Sequence, residues 1–256
     1  MLDVYRPSEH STSTVVILIH GGGWRNGSRK DMAPYAAMLV RLGFVAIAAE
    51  YRLLGEAPWP AQIEDIRDVV RWVRAQAETL GIDPQKIAIQ GFSAGGQLAL
   101  LAAGTPRDSL DSVAAVISLF APTNLLAHGP PGFPSPAETL LGRDATEAEI
   151  SAANPSANVT SAFPPVFLLH GSDDPLVPVK STLEFFDLLL DTGVPADLHV
   201  LHGQTHEFAA LPSLLAPVQS EVALFLRRAV VEPQRFRDEN LELNMFASLP
   251  FSTSSN

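Results

Sequence analysis

One pentapeptide, Gly91-Phe92-Ser93-Ala94-Gly95, has the residue types and spacing of a turn that exposes a serine nucleophile. A short apolar strand pattern at 87–90 comes directly before it, and a helical pattern at 94–103 comes directly after it. The small residues on either side of the serine allow a tight strand-to-helix turn, and the helix start places positive dipole beneath the hydroxyl. The sequence therefore predicts that Ser93 is a catalytic nucleophile.

A run of three glycines follows another predicted strand, at 15–20. Consecutive glycines can turn their backbone N–H groups toward a ligand at a place where a side chain would not fit. We expect Gly22 and Gly23 to form an oxyanion hole, with the backbone N–H of Ala94 as a further donor.

Two ring-bearing residues flank these glycines. We expect His20 to hold the glycine loop in place rather than to act as a base. Trp24 is predicted to line the substrate pocket, with packing against the core as the alternative.

A carboxylate is needed as well, because a serine hydroxyl becomes a strong nucleophile when a histidine takes its proton and an acid orients that histidine. On sheets that carry such a serine turn, the chain order is serine, acid, histidine. Asp174 is predicted to be the acid, since Pro175 restricts its backbone to an extended conformation. Asp173 competes with it and is expected to be a turn or cap residue.

The base is predicted to be His206, in the loop beyond a strand predicted at 196–201. From that loop its imidazole can reach Ser93. His199 and His202 lie within or beside the same strand and are poorer candidates.

Predicted strands and helices alternate along the chain, which is typical of an α/β fold with a mainly parallel sheet covered on both faces. Right-handed crossovers make such a sheet doubly wound, and ligands bind at the carboxyl ends of its strands. All the candidate residues follow predicted strands. The predicted strands are 15–20, 44–49, 87–90, 114–119, 166–170 and 196–201, and the predicted helices are 31–42, 61–80, 94–103, 179–190 and 211–230.

The domain prediction is a single α/β domain over 1–231, followed by a C-terminal tail over 232–256. The segment 124–165 is rich in Pro, Gly, Ser and Ala, has short helical patterns at 136–141 and 146–152, and is too long for a bare loop. It is either a small lid over the site or a surface excursion. Loops at 24–30, 52–60 and 124–165 are expected to line the pocket.

Composition limits the classes of partner. The 256 residues carry a net charge of −11 with no basic cluster, which argues against nucleic acid and against anionic membranes. The chain has no cysteine, which excludes disulfides and thiolate metal sites. We see no signal-peptide pattern and no membrane span, so the expected location is cytoplasmic. The oligomeric state stays open, and a homo-oligomer is compatible with the sequence.

Four motifs together resemble the α/β-hydrolase family of carboxylesterases. The motifs are HGGGW at 20–24, GFSAGG at 91–96, HGSDDPLVP at 170–178 and GQTHEF at 203–208. The resemblance is closest to the hormone-sensitive-lipase-like and the acetylxylan- and feruloyl-esterase-like branch, which shares features with kynurenine formamidase. The chain departs from that pattern in two ways: its first strand is expected to be shortened or absent, and it has no room for a large N-terminal helical cap.

The resemblance implies a serine esterase that acts on short-chain, acetyl-type esters of small molecules or carbohydrates and needs no metal or organic cofactor. It also implies Ser93 as nucleophile, His206 as base, Asp174 as acid, and Gly22, Gly23 and Ala94 as oxyanion donors. Three alternatives stay open: an amidase of the kynurenine-formamidase kind, a peptidase related to prolyl oligopeptidases, and a non-catalytic binding protein with this fold.

Overall fold

A seven-stranded sheet forms the centre of the protein, whose computed structural model describes residues 1–8, 11–127 and 132–243. The strand order is β1-β3-β2-β4-β5-β6-β7, and every neighbouring pair is parallel except β1 with β3. The strands are β1 Leu2–Tyr5, β2 Val15–Ile19, β3 Val45–Ala49, β4 Ile87–Phe92, β5 Ala115–Leu119, β6 Val166–Gly171 and β7 Ala196–Leu201.

Helices cover both faces of this sheet. The α-helices are α1 Ala33–Arg41, α2 Ala61–Ala75, α3 Ala77–Leu80, α4 Ala94–Gly104, α5 Pro136–Leu141, α6 Glu147–Ala153, α7 Val179–Asp191, α8 Pro212–Leu226 and α9 Pro233–Leu243. Helices α1 and α8 pack on one face, and α2, α4 and α7 pack on the other. Strands β2 to β6 have no exposed residue, which explains their continuous apolar runs.

The sheet places the candidate residues at one edge. Parallel strands end at the same edge, so the segments that follow β2, β4, β5, β6 and β7 meet there. The glycine loop, Ser93, Asp174 and His206 all lie in those segments. Sequence periodicity therefore identified both the layers of the fold and the edge that carries the candidate site.

The two ends of the chain carry elements that the predicted strands and helices did not include. The first strand is present in the shortened form that was expected: β1 has four residues and is an antiparallel edge strand. The tail contains helix α9, which has no buried residue and is supported by ion pairs from Arg235 to Glu232 and Glu239. The serine-rich end at 252–256 lies outside the described residues.

The described residues of the segment 124–165 form a layer over α4. Both predicted helical patches are present as α5 and α6, and each begins with a capping box. Leu125, Leu140, Ala153 and Phe163 are buried in the same core cluster as α4. This packing favours a fixed part of the fold over a detached lid for the residues described; 128–131 are not among them.

Among the helices of the described ranges, none combines the length and the apolar character that crossing a bilayer requires.

Gln97 on α4 links the segment 124–165 to the glycine loop. Its side chain is fully buried. Its Oε1 accepts a hydrogen bond from the indole Nε1–H of Trp24 at 3.1 Å, and its Nε2 donates to the carbonyl of Ala153 at 2.7 Å. One amide thus ties three segments together at the back of the candidate site.

We expect Gln97→Leu to lower the free energy of unfolding by about 2–4 kcal/mol, because the indole N–H and the Ala153 carbonyl would stay buried without a partner. Urea unfolding measures the change. Gln219→Leu is the matched control, since Gln219 is equally buried and neither polar atom of its amide has a partner in the described part of the chain. Its replacement breaks no hydrogen bond between described protein groups and should cost less than Gln97→Leu, and equal losses in both variants would contradict the role of Gln97.

Candidate active site

Ser93 occupies a strained turn between β4 and α4. Its backbone has φ 51° and ψ −120°, a left-handed conformation that non-glycine residues rarely adopt. A Cβ at Gly91 would overlap the carbonyl of Gly95, and a Cβ at Gly95 would overlap the carbonyls of Ile19 and His20. Glycine is therefore required on both sides of the serine for the chain to pass this closely.

A chain of hydrogen bonds runs from Ser93 to a buried carboxylate. The Ser93 hydroxyl lies 2.9 Å from Nε2 of His206, and Nδ1 of His206 lies 2.6 Å from Oδ2 of Asp174. The carboxylate accepts the Nδ1–H, which leaves Nε2 free to accept the hydroxyl proton. This geometry is the one that the predicted roles of Ser93 as nucleophile and His206 as base require.

Asp174 is held as an anion by several donors. Its side chain has no exposed surface. Oδ1 accepts the backbone N–H groups of Leu176 and Val177 at 2.9 and 3.0 Å, and Oδ2 receives a second imidazole, that of His170, at 3.1 Å. Burial by itself would raise the pKa of Asp174, but the hydrogen bonds from His170, His206 and Val177 hold that pKa well below its usual range.

The His206 loop is pressed against neighbouring strand ends. A Cβ at Gly171 would overlap the carbonyl of Gln204, so the loop lies directly on the end of β6. The ring of Phe120, the residue after β5, meets the His206 ring edge-on at 4.8 Å between centroids. Phe120 and Glu207 both have positive φ, at 40° and 59°. These contacts restrict the orientation of the imidazole.

The glycine loop lies beside the serine. A Cβ at Gly21 would sit 3.2 Å from the Cβ of Ser93. Gly22 has φ 105° and Gly23 φ 59°, and neither N–H has a protein acceptor in the described part of the chain. The N–H of Ala94, the first residue of α4, has no acceptor within the helix. The predicted oxyanion donors are thus on adjacent strand ends and unengaged, while their role remains a prediction.

His20 holds the glycine loop, as the sequence analysis expects. Its ring is buried, stacks on Tyr51 with centroids 4.4 Å apart, and places Nδ1 2.8 Å from the carbonyl of Gly21. Burial lowers the pKa of His20, so the ring is neutral and Nδ1–H donates to that carbonyl.

Trp24 does not line the pocket at Ser93, and its predicted contact with substrate is not supported. The side chain is 3% exposed and packs in the core with its indole N–H on Gln97. The positive φ of Trp24, 59°, turns its side chain inward at the end of the glycine loop. Core packing, the alternative raised by the sequence, is what the structure shows.

The remaining candidates lie outside the hydrogen-bond chain. Asp173 accepts the hydroxyl of its neighbour Ser172 at 2.6 Å, as a turn residue does. His199 is half-exposed on β7 and lies 3.5 Å from Glu221. His202 lies in the turn after β7.

A pocket of about 380 Å³ opens beside Ser93. Most of the pocket wall lies outside the three loops predicted to form it, and comes from the turn before α1, the start of α1, the end of β5 and the loop after His206. Of those three loops, only the one at 24–30 lines the pocket among the described residues. The loop at 52–60 borders a second groove, of about 880 Å³. Apart from the glycine loop and Ser93, the lining comprises Asn26, Gly27, Asp31, Met32, Tyr35, Phe92, Phe120, Glu207 and Ala210.

The family model named BD-FAE matches residues 2–189, which include Ser93 and Asp174 and end before His206. The chain belongs to the BD-FAE family. This BD-FAE protein is also similar to "Probable carboxylic ester hydrolase LipM" of Mycobacterium tuberculosis, with 32% identity over 207 residues, 73% of this chain and 48% of that protein. The chain spans about half the length of the first curated relatives that it matches.

Solved structures confirm the predicted α/β-hydrolase fold of this BD-FAE member. A truncated carbohydrate esterase from gut microbiota has a TM-score of 0.76 and 26% identity, with 88% of this chain and 90% of that chain covered. Thermogutta terrifontis esterase 2, solved as the enzyme phosphonylated by sarin, has a TM-score of 0.78 and 27% identity, with 90% of each chain covered. The resemblance to esterases seen in the motifs is therefore confirmed.

The two central glycines should differ in their tolerance of alanine. A Cβ at Gly22 would overlap the carbonyl of Asn26, whereas a Cβ at Gly23 meets nothing within 4 Å. We expect Gly22→Ala to slow labelling of the protein by a fluorophosphonate probe by about 100-fold or more, because it displaces the loop that faces the serine. Gly23→Ala costs only the left-handed backbone, about 1 kcal/mol, and should slow labelling less than about 10-fold.

The second-order labelling rate constant measures both variants of this pair, and thermal unfolding verifies that each one folds. Equal labelling rates for the two variants would contradict the close contact between Gly22 and the carbonyl of Asn26.

Proposed function

We propose that this protein is a serine esterase that hydrolyses short-chain, acetyl-type esters of small molecules or carbohydrates. The observation that carries the proposal is the unbroken hydrogen-bond chain from Ser93 through His206 to Asp174 at the carboxyl edge of the sheet. The names of the family's relatives and structural neighbours support ester cleavage.

The proposed reaction has two halves. Ser93 Oγ attacks the ester carbonyl carbon while His206 Nε2 takes the hydroxyl proton, and the oxyanion binds the N–H groups of Gly22, Gly23 and Ala94. The C–O bond to the alcohol then breaks, and His206 gives its proton to the departing oxygen. Water, deprotonated by His206, attacks the acyl-enzyme in the same way and releases the acid and free Ser93.

The pocket supports short acyl groups. Its volume of about 380 Å³ must hold the groups on both sides of the scissile bond. Met32, Tyr35 and Phe120 wall it with bulky side chains that are nearly fully buried. The described residues include no large cap that would cover a long acyl chain.

The proposal extends to the domain organisation of the chain. We propose that 1–231 is the catalytic domain and that 232–256 is dispensable for the chemistry, since α9 contributes no buried residue. A cytoplasmic location remains a prediction, which cell fractionation would test, and the oligomeric state remains open to light scattering.

Ser93→Ala should abolish ester hydrolysis. We expect wild-type turnover of p-nitrophenyl acetate and butyrate to exceed that of octanoate, and the variant to lose at least about 10⁴-fold in kcat. Ser220→Ala is the matched control, because the hydroxyl of Ser220 is exposed on α8 and bonds only its own helix at Ala216. Wild-type protein that hydrolyses none of the esters would reject the esterase, and N-formyl aromatic amines would then test the amidase alternative.

The pocket should also discriminate by charge. Asp31 and Glu207 both line it, and no lysine or arginine does among the described residues. The pKa of Tyr35 is raised to about 12 by burial and then by the charge of Glu207, which lies close enough to act on this wall. Anionic esters should therefore be poor substrates.

We expect Glu207→Gln to reduce the preference for p-nitrophenyl butyrate over mono-p-nitrophenyl succinate by about 3- to 10-fold, the effect of one charge at several ångströms in a partly solvated site. The ratio of kcat/KM for the two esters is the measurement. Glu184→Gln, an exposed change on α7, should leave that ratio alone. A ratio that Glu207→Gln does not alter would show that this carboxylate does not act on the acyl group.

A further inference from the structure

A second histidine contacts the carboxylate of Asp174. His170, near the end of β6, is completely buried, and its Nε2 lies 3.1 Å from Oδ2 of Asp174 and 2.9 Å from the carbonyl of Val177. Its Nδ1 lies 2.8 Å from the hydroxyl of Thr182 on α7. Both ring nitrogens are therefore engaged, and the mechanism above uses neither.

The partners of His170 identify its tautomer. A carboxylate and a backbone carbonyl can only accept hydrogen bonds, so Nε2 must carry a proton. The Thr182 hydroxyl can either donate or accept, and it donates to Nδ1 when the ring is neutral. The neutral Nε2–H form satisfies every polar atom around the ring, with Asp174 as the titratable side chain that contacts it in the described part of the chain.

A neutral His170 also suits the charge at Asp174. The same oxygen, Oδ2, accepts the Nδ1–H of His206 at 2.6 Å. A positive charge on His170 would compete with the imidazolium that forms on His206 during the proposed reaction, because one carboxylate would then face two cations. Lys180 and Glu184, the charged residues beside Thr182 on α7, lie at the surface and pair with each other.

We propose that His170 is a positioning residue that fixes Asp174 through its Nε2–H and thereby sets the basicity of His206. This inference rests on the proposed function, since it assigns a role within the same hydrogen-bond chain. The backbone donors at Leu176 and Val177 hold Oδ1, so His170 is the group that orients Oδ2 toward the His206 ring.

The sign of the effect follows from the shared oxygen. A donor on Oδ2 draws negative charge away from the bond to His206 and makes the His206 imidazolium less stable. Without that donor, His206 keeps its proton to a higher pH, and the acidic limb of the activity profile moves upward. Glu207, the residue after His206, is present in every variant compared, so its contribution is common to all the pH profiles.

The test compares His170→Leu with His170→Gln, using p-nitrophenyl acetate from pH 4.5 to 9. Leu removes the donor and keeps the bulk, whereas the amide of Gln can place an N–H near the position of Nε2. We expect His170→Leu to lower kcat by about 10- to 100-fold. Losses of this size are typical when the hydrogen-bond partner that orients a metal-binding side chain is removed, and His170 orients Asp174 in a comparable way. KM should stay within about 3-fold and the acidic limb should move to higher pH. His170→Gln should recover most of kcat, and the acidic limb of its pH profile should lie at the wild-type position.

Thr182→Val and Thr182→Ser repeat the test at the other end of the ring and cover the case in which the Leu variant does not fold. Val removes the hydroxyl that donates to Nδ1 and should move the limb in the same direction, while Ser should not. A folded Leu variant with an unmoved limb, or a Gln variant as impaired as Leu, would overturn the role of His170. A wild type that hydrolyses no ester would instead overturn the proposed function.

Discussion

The carboxylate of Asp174 is a negative charge with no exposed surface, and such a group persists in a protein interior only when donors surround it. The donors come from three places: the turn after β6, β6 itself through His170, and the loop after β7 through His206. The position of β7 beside β6 is therefore coupled to the candidate site, because a displaced β7 would withdraw His206 and leave the charge with fewer donors. Packing and electrostatics favour the same arrangement.

A second constraint is the absence of side chains where backbones touch. The serine turn passes the end of β2 so closely that Gly95 could carry no Cβ, and Gly171 meets the His206 loop in the same way. Three residues close to the hydrogen-bond chain, Ser93, Phe120 and Glu207, have positive φ. Strain of this kind costs about 1–3 kcal/mol per residue and lasts only where surrounding structure fixes it, and here the fully buried strands β4, β5 and β6 supply that support.

Sequence patterns predicted the residues whose types are chemically constrained. The glycines around Ser93, the aspartate before Pro175 and the histidine after β7 each stand in a motif with a physical reason, and the structure brings them together. Tyr35, Phe120 and Glu207 could not be found in this way, because their place on the pocket depends on the packing of α1 and on backbone angles that no local pattern encodes. Trp24 shows the reverse error: its position in a motif suggested a binding role, while burial and the partner amide of Gln97 decide that it is structural.

The proposed chemical groups lie at strand ends, whereas the pocket walls come from helix and loop residues, and the two sets differ in how freely their side chains can change. The proposed chemical groups are fixed by the sheet, by glycine contacts and by a buried charge, so few substitutions there preserve the geometry of the site. The pocket walls come from the start of α1 with the turn before it, and from single residues in the loops after β5 and β7. Asp31 and Glu207, which lie in these walls, make no hydrogen bond to Ser93, His206 or Asp174 in the described part of the chain. The side chains of Asp31 and Glu207 can therefore change without removing a bond of the hydrogen-bond chain, whereas Phe120 contacts the His206 ring and is coupled to it. The two carboxylates on the wall would act on a substrate through charge at a distance, so replacing either one changes the charge that an ester meets and leaves the hydrogen-bond chain in place.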